Sequence, residues 1–112
     1  MTAGTSNLFN GVWGSSPSDV WAVGGGGEIV HWNGSRWSSV PSGTTNFVTG
    51  VHGTGANDVW AVGTYGTILH WNGSAWTHVD SGTTNHLRGV WASATGGVWV
   101  VGNGGTILHR PP

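Results

Sequence analysis

Three histidines, His31, His70 and His109, stand 39 residues apart. Three imidazoles invite a zinc-type metal reading, but equivalent positions in successive repeats lie on separate units and do not converge on one ion. No metal is therefore expected, and each histidine is expected to pack between units and donate to a neighbouring backbone. Two carboxylates, Asp19 and Asp58, share the same spacing, with Gly97 at the third position. Glycoside hydrolysis needs two carboxylates across one cleft, which repetition does not supply, and Glu28 and Asp80 are the only other acids. Both aspartates are read as structural, each capping its own turn. Gly24 to Gly27 has no helix after it and so forms no phosphate loop. Catalytic residues, a cofactor and enzymatic activity are all expected to be absent. The tryptophans remain. Trp32, Trp37, Trp71 and Trp76 flank two Asn-Gly turns, and with Arg36 they are the candidate ligand-binding residues. Indole faces stack on the apolar faces of sugar rings, while nearby Asn, Ser and Thr supply hydrogen bonds. The competing reading is a cross-strand aromatic pair that stiffens a hairpin.

These residues belong to a repeat. DVWAVGGGGEIVHWNGSRW (Asp19 to Trp37) returns as DVWAVGTYGTILHWNGSAW (Asp58 to Trp76) and, shortened, as GVWVVGNGGTILHR (Gly97 to Arg110). Gly11, Gly50 and Gly89 keep the same period, as do Trp21, Trp60 and Trp99, with no insertion or deletion. A self-similar unit of this length indicates a repeat architecture.

Each unit reads as four short strands. The first is LFNGVWG, FVTGVHG or HLRGVWA; the second is VWAVG or VWVVG; the third is EIVHW, TILHW or TILHR. An Asn-Gly turn leads to the fourth, RWSSV or AWTHV. Such a turn between apolar runs predicts a type I′ hairpin, with φ > 0 at both central residues. Helical periodicity is absent, and the second and third strands are nearly continuous apolar runs, as in a sheet buried on both faces. The expected fold is all-β: a β-propeller of 39-residue four-stranded antiparallel blades, rather than a linear β-solenoid. About three blades occupy residues 8–40, 47–79 and 86–110 of a single unit, 1–112. The strand carrying Gly11, Gly50 and Gly89 is placed innermost, where glycine lets backbones crowd together. Trp21, Trp60 and Trp99 are assigned to the inter-blade core. Trp13, His52 and Trp91 are placed at the mouth of a central channel, a second ligand position.

Composition narrows the function classes. Only 6% of the residues are charged and the formal net charge is −1, so no basic footprint for nucleic acid or an anionic membrane is present. No apolar run reaches the ~20 residues of a membrane-spanning helix. The first residues lack the basic and apolar regions of a signal peptide, and cysteine is absent.

The line VWAVG-x-x-G-x-I-(L/V)-H-W-N-G-S-x-W resembles the bacterial propeller repeats of the Asp-box (BNR-like) group. Here the turn His31 to Trp37 is one residue shorter than in that group, with Asn where an acid is expected. The resemblance implies a propeller and no catalysis. Trp-Asn-Gly-Ser-x-Trp is also similar to turns of small oligomeric propeller lectins. That local similarity implies carbohydrate bound between blades, and an extracellular or surface location if so. The alternative is a structural or protein-interaction scaffold without a small ligand, whether a natural fragment or an engineered assembly.

The third unit carries three strand signals and then Pro111-Pro112. Three blades do not close a ring that usually needs four to eight, so self-association is expected. A homodimer would close a six-bladed ring, and a trimer of nine blades is the less favoured outcome. Met1 to Gly4 are expected beside the third strand of the partner's last blade.

Overall fold

The computed structural model describes residues 8–112. Eleven strands run in chain order: β1 (Phe9–Ser16), β2 (Asp19–Gly24), β3 (Ile29–Trp32), β4 (Trp37–Ser39), β5 (Val48–Gly55), β6 (Asp58–Gly63), β7 (Thr67–Trp71), β8 (Trp76–His78), β9 (Leu87–Ser93), β10 (Gly97–Gly102) and β11 (Ile107–Arg110). They form three antiparallel sheets in simple meander order: β1-β2-β3-β4, β5-β6-β7-β8 and β9-β10-β11. These sheets are blades 1, 2 and 3. The expected placement of Met1 to Gly4 falls outside the described residues.

Register is the same in every blade. Trp21 pairs with Trp13 and His31, Trp60 with His52 and His70, and Trp99 with Trp91 and His109. The alternation of strand side chains therefore gives each blade two faces. The front face carries Trp21, Val23 and Ile29 in blade 1, and the back face carries Val51, Ala61 and Leu69 in blade 2. These two sets meet in one buried cluster. Trp60, Val62 and Ile68 from the front of blade 2 meet Val98 and Val100 of blade 3 in a second cluster. Each cluster is a blade-to-blade interface, so the core is a pair of layers between sheets.

Strands β1, β5 and β9 lie side by side, as the glycine spacing predicted. A Cβ on Gly11 would come within 3.4 Å of the Gly50 Cα, and one on Gly50 within 3.3 Å of the Arg88 carbonyl oxygen. A side chain in that seam would push the blades apart.

Two turns differ from expectation. The Asn-Gly loops span four residues between the paired Trp32 and Trp37, and between Trp71 and Trp76. Only their glycines, Gly34 and Gly73, have positive φ, so the turn is not type I′. The Asn33 Oδ1 instead accepts from the amides of Ser35 and Arg36, and Asn72 does the same for Ser74 and Ala75. A side-chain acceptor that folds the backbone back removes the need for a left-handed asparagine. Consecutive positive φ occurs instead between the second and third strands, at Gly26-Gly27, Tyr65-Gly66 and Gly104-Gly105. A Cβ on Gly66 would lie 1.9 Å from the Thr83 carbonyl oxygen, so glycine is required there twice over.

Candidate functional site

The histidines and aspartates meet, but within one blade. The His31 Nε2 lies 2.6 Å from the Asp19 Oδ1, and the His70 Nε2 lies 2.7 Å from the Asp58 Oδ1. Ser15 donates to Asp19, and the Thr54 hydroxyl donates to Asp58 at 2.5 Å. Trp60 adds its indole N–H to Asp58 at 3.2 Å. Neither the backbone partner expected for these histidines nor the turn cap expected for these aspartates is what forms. Strand register explains this: the histidine stands opposite the tryptophan two residues after the aspartate, and so faces the carboxylate across the blade. Blade 3 has Gly97 in the acidic position, and there the His109 Nε2 turns to the Gly96 carbonyl oxygen at 2.8 Å.

The order of groups matters chemically. A nucleophile is activated when an imidazole sits between hydroxyl and carboxylate. Here the carboxylate sits in the middle, accepting from both, and each hydroxyl spends its proton on it. At Asp58, burial pushes the carboxyl pKa up, but hydrogen bonds from Thr54, His70 and Trp60, with the nearby His70 charge, leave it below the usual carboxylate value. No cluster of three or more potential metal ligands occurs among the described residues.

The tryptophan candidates separate into two groups. Trp71 and Trp76 lean into blade 1: their ring centroids lie 4.8 and 5.2 Å from that of Trp21. Trp76 is buried there, and the indole nitrogens of Trp21 and Trp76 have no hydrogen-bond partner among the described residues. Trp32 and Trp37 hold the same mutual geometry, at 5.7 Å and 50° against 5.8 Å and 48° for Trp71 and Trp76. They are only half-buried, and Arg36 is exposed at the turn. Blade 3 has Arg110 in the position of Trp71, and its guanidinium lies 5.4 Å from the centre of the Trp60 ring.

Two further surfaces emerge. A cleft of about 210 Å³ lies between blades 2 and 3, with Trp60, Val79, Asp80, Leu108 and Arg110 in its walls. It occupies the place that Trp76 fills between blades 1 and 2. The spacing signal that marks this cleft is the change from Trp71 to Arg110. Trp13, His52 and Trp91 form a row along β1, β5 and β9, with centroids 6.1 and 6.4 Å apart.

The front of blade 3 is bare. Trp99 is 41% exposed, whereas Trp21 is 2% and Trp60 6% exposed. Val101 is 48% exposed, while Val23 and Val62 are fully buried. Trp91 and Ile107 are exposed beside them.

Comparison with known proteins agrees with the architecture. A solved structure of YCF48 bound to D1 peptide superposes with a TM-score of 0.78 at 20% identity. The chain has the β-propeller fold. The match covers 96% of this chain and 38% of that one, so the chain spans well under half of that propeller's length. No family model and no curated protein matches the sequence.

Proposed function

We propose that this chain is a non-enzymatic propeller module that works by binding protein, itself included. The bare front of blade 3 carries this reading. Trp91, Trp99, Val101 and Ile107 are exposed together, and the counterparts of the last three in the other blades are buried against a neighbouring sheet, while those of Trp91 are partly covered. Exposed apolar surface of this kind marks an interaction site. The structurally similar YCF48 is bound to a peptide, which supports a protein ligand for this fold. Self-association would close the ring, with two chains giving six blades, the favoured form, and three chains giving nine.

A carbohydrate reading has one observation in its favour. The cleft between blades 2 and 3 offers an indole wall beside Arg110 and Asp80, the chemistry of a small sugar site. Kinship with the Asp-box group rests on the whole repeat line and likeness to propeller lectins on its six-residue turn, whose Trp76 is buried.

Sedimentation and sugar titration separate the two. The protein-binding reading expects a mass above 11.6 kDa that rises with concentration, and tryptophan fluorescence indifferent to simple sugars. A chain that stays monomeric, with fluorescence quenched by a sugar and the quenching lost in Arg110→Ala, would establish the lectin instead.

A further inference from the structure

The two interfaces inside the chain are templates for a third. At the first, the front of blade 1 offers Trp21, and the back of blade 2 closes over it with the Trp71–Trp76 pair. Nearby, the Trp13 ring lies against Gly53, where a Cβ would meet it at 2.9 Å. At the second interface both features change together. Arg110 replaces the tryptophan pair over Trp60. The smaller His52 ring stands before Ala92, whose amide donates to its Nδ1 at 2.9 Å.

The front of blade 3 returns to the first pattern. It offers Trp99 and Trp91, both exposed. Three back faces exist in the described chain, and those of blades 2 and 3 are in use. The back of blade 1 faces no other described sheet; Ala22 and Val30 at its centre are buried, and the matching parts stand around them. Trp32 and Trp37 already hold the geometry of the pair that closes over Trp21. Gly14 stands at the register position of Gly53, and Val12 is exposed at the position of the buried Val51.

We infer that the front of blade 3 binds the back of blade 1 of a second copy, head to tail: Trp99 enters beneath Trp32 and Trp37, and Trp91 lies on Gly14. The facing side chains are mostly apolar, with Arg36 at the rim beside Trp37, so the contact depends little on salt. A heterologous contact of this kind closes when the rotation allows; a rotation of about one sixth of a turn per blade would let two three-blade chains complete six blades. The inference rests on the self-associating propeller proposed above and adds its polarity and its contacts.

Two charge insertions at exposed positions test it. Val101→Glu blocks the front of blade 3, and Val12→Glu blocks the back of blade 1. In a mixture, the free front of the Val12→Glu chain meets the free back of the Val101→Glu chain. Native mass spectrometry should give the wild type at twice 11.6 kDa, with each variant alone at least 100-fold weaker in association. Mixed, they should recover a two-chain particle holding one of each, which also shows that both variants fold. A wild-type monomer at all concentrations overturns this inference and the self-association together. An associating wild type whose variants stay monomeric when mixed, or associate when alone, overturns the head-to-tail polarity and leaves self-association standing.

Discussion

Trp21, Trp60 and Trp99 occupy one register position in three blades and meet three surroundings. Trp21 is enclosed by two further indoles, Trp60 is covered by a guanidinium and bonded to Asp58, and Trp99 faces outward. The residue and its own blade are nearly constant, so the difference comes from the neighbouring sheet. A blade supplies half of each interface, and what that half is worth depends on what the next sheet brings.

The largest contrast is in stability. Trp21→Ala should cost about 3–5 kcal/mol, the range for emptying a packed aromatic site. Trp99→Ala should cost less than Trp21→Ala when measured on dilute, unassociated chains, because Trp99 is already 41% exposed and Trp21 only 2%. Urea titrations of both variants, followed by far-UV dichroism, check this, and equal losses would erase the distinction between the enclosed and open positions.

The polar networks give the next contrast. Among the described residues, Asp58 accepts from Thr54, His70 and Trp60, whereas Asp19 accepts from Ser15 and His31. Asp58→Ala should destabilise by about 1–2 kcal/mol, the scale of lost charge-assisted hydrogen bonds at a part-exposed site, and by more than Asp19→Ala. A thermal melt of each single variant ranks them.

Acid should sharpen that ranking. The Asp58 carboxyl is held below its usual pKa in the folded chain. Its contribution is therefore fully present above the unfolded carboxylate value, about 3.9. It is lost as pH falls through the lower folded value. Stability of the wild type should drop across that acidic window, and Asp58→Asn should show a shallower drop. Parallel pH profiles would count against the network if the two slopes coincide.

Arg110 should show the smallest effect. Removing its guanidinium from the Trp60 ring in Arg110→Ala should cost about 0.5–1 kcal/mol, as for a part-exposed cation–π contact. The readout is Trp60 quenching by acrylamide, which should increase in the variant.

What the sequence made legible follows the physics of repetition. An unbroken period places Gly11, Gly50 and Gly89 side by side and assigns Trp21, Trp60 and Trp99 alike to the inter-blade core, which holds for the first two but not for Trp99, 41% exposed because no sheet of this chain faces it. It also locates the row of Trp13, His52 and Trp91. Contacts across blades were harder to read, because the partner of Trp76 is Trp21, 55 residues earlier and on another sheet. Trp71 and Trp76 consequently read as candidate ligand-binding residues at an outer turn. The turn geometry was also hidden: Asn-Gly suits a type I′ hairpin, but the Asn33 and Asn72 carboxamides supply the fold-back themselves. His31 and His70 looked like groups in need of a backbone acceptor, since the register that faces each to an aspartate is visible only once the strands are paired.

The account turns on whether the open Trp99 position is an interface. Hydroxyl-radical footprinting read by mass spectrometry reports oxidation at each tryptophan as protein concentration rises. Trp99 and Trp91 should be oxidised readily in dilute protein and become protected together as chains associate, with Trp32 and Trp37 following the same curve and Trp21 protected throughout. Trp99 oxidation that stays unchanged while the mass of the particle grows would contradict it.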